Sequence, residues 1–132
     1  MSTSEFHGTK LTALAGAATN AYRFVKHHST SAAEEEIIEA AGADDRAIGI
    51  SVDKGGGSGE PPSIGYVTDG YGRLEVTATT ALSAGTPLKS AANGIGVTAT
   101  SGDEYFAILR DPVPDDTTRI VRVLITRGHV PA

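Results

Sequence analysis

Residues 70–97, GYGRLEVTATTALSAGTPLKSAANGIGV, alternate short apolar and β-branched runs with Gly, Pro and Asn. That pattern gives strand and corner in turn and leaves no room for a helix of ordinary length. Leu74 and Val76 alternate with Arg73, Glu75 and Thr77, so one face of this strand can be buried while the other stays wet. Leu82 and Leu88 flank a turn containing Gly85 and anchor it from both sides. Ala92-Asn93-Gly94 then returns the chain, because Asn-Gly is the pair that most readily takes positive φ in a tight hairpin. The stretch is architecture and shows no catalytic pattern.

Working outward, the same alternation recurs. Ile64, Tyr66 and Thr68 form a strand that turns at residues 69–72 into the central stretch. Upstream, Ile48, Ile50 and Val52 share one strand face, and Gly49 on the other lets a neighbour pack closely. Between these two strands, residues 54–62 (KGGGSGEPP) read as the loosest surface loop of the chain, tolerant of change. Downstream, residues 104–110 form a strand with Phe106 and Ile108 on one face, stopped by the two prolines of residues 111–116. The last strand, residues 119–126, places Val121, Val123 and Ile125 on one side and Ile120, Arg122 and Leu124 on the other. Both sides are partly apolar, as expected of a strand covered by the barrel inside and by a neighbouring chain outside. Ile120, Arg122 and Leu124 are therefore the candidate oligomer interface.

The N-terminal part differs. Residues 1–20 are rich in Ser, Thr, Ala and Gly without a steady period, and read as a flexible arm. Phe6, Leu11 and Leu14 are its large apolar groups and its candidate contacts with a partner. Tyr22, Phe24 and Lys26 alternate with Arg23, Val25 and His27, a first strand, so residues 21–132 are read as a single β domain. Residues 31–41 fit a short helix, with Ser31 as N-cap, early Glu residues and Gly42 as a stop, and fit an edge strand equally well.

Composition narrows the function. The 132 residues carry a net charge of −5, with Lys and Arg scattered singly, which argues against nucleic acid as a partner. There is no Cys, which removes disulfides, thiolate nucleophiles and Cys-type zinc sites. No Trp and only three Phe and four Tyr leave few rings for carbohydrate or base stacking. No apolar run approaches the roughly 20 residues that span a bilayer, so no membrane is expected, and nothing resembles a signal peptide. The loop KGGGSGE lacks the Gly-Lys-Ser/Thr ending of a phosphate cradle. His27 and His28 point to opposite strand faces and cannot share a metal. The acidic pairs lie beside loops rather than in apolar surroundings that would raise a carboxyl pKa. No catalytic, cofactor or metal residue is assigned, and the chain is not expected to be an enzyme.

Together, the Ile-Gly-Ile strand at Ile48 to Ile50, the Gly-flanked strand pair after it, ALSAGTPL at residues 81–88, the Asn93-Gly94 return and the closing strand through Val121, Val123 and Ile125 resemble the capsid decoration, or cement, proteins of tailed bacteriophages. The resemblance covers residues 47–128. It implies a mainly β chain with a small β-barrel or β-tulip fold, no catalysis and no cofactor. It also implies docking to the major capsid protein on the outer surface of the shell, commonly as a homotrimer, after assembly in a host cytoplasm. Members also occur as dimers and monomers. Two other readings stand beside it. One is a stand-alone β-barrel that binds a ligand or acts as a carrier, with Lys89 as its attachment point; the other is a hydrolase using Asp103 or Glu104.

Overall fold

In the computed structural model, which describes residues 9–27, 36–39 and 46–132, period-two alternation becomes ten strands. They are β1 (Lys10–Ala15), β2 (Phe24–His27), β3 (Glu36–Glu39), β4 (Gly49–Ser51), β5 (Ser63–Val67), β6 (Gly70–Ala78), β7 (Pro87–Ser90), β8 (Gly96–Thr98), β9 (Glu104–Leu109) and β10 (Thr117–His129). The fold is mainly β, as the sequence indicates. Among the described residues there is no α-helix, only the 3-10 turn Ala92–Gly94 between β7 and β8.

The strands close into two rings. The first runs β1-β3-β2-β4-β5 and the second β10-β6-β8-β7-β9, with mostly antiparallel neighbours. Among the described residues, parallel pairing is confined to β1 with β3 and β6 with β8. The long seam of the second ring pairs β10 with β6 from Thr117↔Ala78 to Ile125↔Gly70. Leu74 and Val76 are fully buried in it; Leu74 stands opposite Val121 and Val76 opposite Arg119, while Val123, also fully buried, faces Gly72. The Asn93-Gly94 return forms as read, with φ of +61° and +74°.

Two expectations need correction, one left open is settled and one gains a partner. Residues 9–20 are not a free arm: β1 lies against β5 along Lys10 to Leu14 and meets β3 at Leu14 and Ala15. The folded part therefore starts before residue 21, because Ala13 is buried and strand pairing satisfies a backbone that the sequence shows only as apolar-poor. Residues 36–39 take the strand option, paired with β2, while the rest of 31–41 lies outside the described residues. Residues 54–62 are pinned rather than loose. Thr19 and Gly55 exchange backbone hydrogen bonds at 2.8 and 3.0 Å, Gly57 N–H donates to Glu60 Oε1 at 2.9 Å, and Lys54 pairs with Glu60 at 3.3 Å. The glycines here admit close backbone approach, which composition alone does not distinguish from flexibility. Finally, Phe106 and Ile108 do share one face of β9; the face turned into the ring carries Ala107 and Leu109, and Phe106 is buried against Phe24 of the neighbouring ring.

That burial holds the two rings together. Phe24 from β2 meets Phe106 edge to face, ring centroids 6.3 Å apart, and Ala47 and Ile50 join the same buried cluster. Tyr22 has φ of +63°, its N–H donating to Ser51 O at 2.7 Å and its carbonyl accepting from Glu75 N–H at 2.8 Å. Arg23 reaches across to Glu75 Oε2 at 3.2 Å and to the Asn93 carbonyl at 3.0 Å.

Candidate interaction surface

Strand alternation sends every second residue of β10 outward, and β6 and β9 extend the same face by register. Ile120 stands opposite Glu75, Arg122 opposite Arg73, and Leu124 between Tyr71 and Ile108. The three residues picked from the sequence thus lie on one surface. Ile120 is 43% exposed, Arg122 is exposed and Leu124 half-buried. The sequence reading missed Tyr71, 42% exposed, and Arg110, whose guanidinium sits 4.8 Å from the Tyr71 ring centroid. Alternation along β6, where Tyr71, Arg73 and Glu75 share a face, was the available signal.

Arginine, aromatic and aliphatic groups with no Lys is the mixture enriched at protein interfaces. The arrangement is fixed locally. Arg122 grips Asp111 with Nη2 at 2.8 Å and Nε at 3.1 Å, and its backbone N–H donates to the same carboxylate at 3.1 Å. Those bonds, the side-chain ones first, hold the Asp111 carboxyl down at about 2.

The other candidates fall elsewhere. Leu11 and Leu14 on β1 are 44% and 41% exposed, and Phe6 lies outside the described residues. Lys89 is no exposed hairpin tip. It is half-buried on β7 with its Nζ 2.7 Å from Asp103 Oδ2, and with the Thr100 N–H and hydroxyl this lowers the Asp103 carboxyl to about 2. An acid catalyst needs a raised pKa, so Asp103 is tuned the wrong way. Among the described residues no group of three or more His, Asp or Glu is placed to hold a metal. His27 and His129 are exposed there, and His28 lies outside them.

No family model and no curated protein matches this chain. A solved structure does: the crystal structure of head fiber gp8.5 N base in bacteriophage phi29, with a TM-score of 0.62 and 17% sequence identity, covering 94% of this chain and 98% of that chain. The two chains share a fold. The match spans the residues of both rings.

Proposed function

We propose that this chain is a non-catalytic structural protein of a bacteriophage head, docked on the outer surface of the capsid and cementing the shell. The observation that carries this reading is the full-length likeness to a phage head fiber base. The resemblance of residues 47–128 to phage cement proteins points the same way. In this reading the outward face of β10, with Ile120, Arg122 and Leu124, joins copies into a homotrimer. Leu11 and Leu14, exposed on β1, and Phe6 contact the major capsid protein.

Electron microscopy of the purified protein mixed with empty phage heads tests it. Added density at threefold or quasi-threefold positions is the expected result, and replacing Leu11 and Leu14 by Ser should reduce occupancy. Heads left bare at saturating protein would overturn the proposal. Sedimentation at micromolar concentration addresses the trimer separately: wild type should sediment as a trimer and Leu124→Asp as a folded monomer.

A further inference from the structure

The two rings leave between them a pocket of about 120 Å³, walled by Phe24, Ile48, Phe106 and Ile125, with Thr126 and Arg127 supplying polar groups. A β-bulge creates its polar side. Between Ile125 and Gly128, β10 takes three steps where β9 takes two, and the extra residue re-aims its neighbours. Arg127 is turned over the Phe106 ring, 5.5 Å from its centroid, and its Nη2 donates to the Ala47 carbonyl at 2.6 Å. Among the described residues no carboxylate pairs with this guanidinium, whose head is held at the pocket by those two contacts.

Size decides what enters. Pockets for free ligands and cofactors run to about 300–1,000 Å³, whereas an apolar cavity of about 150 Å³ holds one benzene. A space of this volume takes a single aliphatic side chain, and an uncompensated arginine beside it favours a carboxylate next to that side chain. We infer that the pocket receives one branched aliphatic side chain from an extended segment of a protein partner, with an adjacent Asp or Glu pairing with Arg127. The seam between the rings is thus a recognition site distinct from the outward face of β10.

The test uses the full chain, ¹⁵N-labelled, titrated with the peptide acetyl-Ser-Leu-Asp-Ser-amide. Saturable shifts are expected at the amides of Ala47, Gly49 and Thr126, with a dissociation constant on the order of 1 mM for so small a contact. Replacing Asp by Asn in the peptide, or making Arg127→Gln, should weaken binding about tenfold. Arg127→Lys should keep the preference for Asp, and added salt should reduce it. The same spectra show whether each variant is folded. No saturable shift at these amides, or equal binding of the Asp and Asn peptides, overturns the inference. No capsid is present in this assay, so its failure and a failure to decorate heads are read separately.

Discussion

The two rings are built to different scales. The first uses strands of three to six residues, and among the described residues its own buried cluster is Ala13, Val25, Ile37, Ile64 and Tyr66. The second has strands of nine and thirteen residues and a cluster of thirteen buried residues, which takes in Phe24, Ala47 and Ile50 from the first ring. The lesson is one of dependence: so small a core does not sustain an independent domain, so the first ring leans on the second.

The strongest way to break this comparison is to place a carboxylate in each core. Val123 and Val25 are both fully buried, and an unpaired charge at either costs several kcal/mol. Val123→Asp should abolish cooperative folding of the whole chain. Val25→Asp should unfold the first ring and leave amides of β6, β9 and β10 protected in hydrogen exchange. Equal loss of protection in both variants would refute the dependence.

Gly94 probes the seam. It has φ of +74°, and a Cβ there would run into the Phe24 carbonyl oxygen. Gly94→Val should therefore cost about 3 kcal/mol in thermal unfolding, with the first ring opening earliest. Gly56, at φ of +81° with the Ala17 carbonyl where its Cβ would be, tests the first ring alone. Gly56→Ala should cost about 2 kcal/mol, exposing amides of β1 and β5 while those of β10 stay protected.

Acid gives the smallest effect and sharpens the contrast from the other side. Asp103 and Asp111, both held at about 2, belong to the second ring. A carboxyl whose folded pKa lies below its unfolded value stabilises the fold above the unfolded value, and that contribution is lost as pH falls through the folded one. Stability of the second ring should drop between about pH 4 and pH 2. The double variant Asp103→Asn with Asp111→Asn should flatten the melting temperature across that window.

Legibility followed the same division. In β6, inward Leu74 and Val76 alternate with Arg73, Glu75 and Thr77, and in β10 inward Val121 and Val123 recur at period two in a long β-branched run, so the strands and their faces could be read directly. In β1 the inward residues are as small as Ala13, and the pairing that orders them comes from β5, about 50 residues away, so local composition reads as an arm. Alternation places Phe106 with Ile108 on one face of β9, but what buries it is Phe24 of the other ring, a contact that periodicity cannot express. The candidate surface was half legible. Ile120, Arg122 and Leu124 stood out by sharing a face, whereas the Arg110–Tyr71 stack depends on register between β9, β10 and β6.

Ring closure also sets a schedule for synthesis. All strands of the first ring exist once Val67 is made, but the second waits for β10, which pairs with both β6 and β9 and follows them in the chain. At about 5–20 residues per second, the roughly 60 residues in between take on the order of 3 to 12 seconds. Until β10 is made, β6 and then β9 lack their shared partner, and the first ring lacks the surface on which it rests. Nascent chains crowded on one message are then open to sticking to each other, whereas finished copies, with neither ring left an end strand, are not. Production at low temperature and modest expression should raise the soluble yield far more than any change to the finished protein's surface.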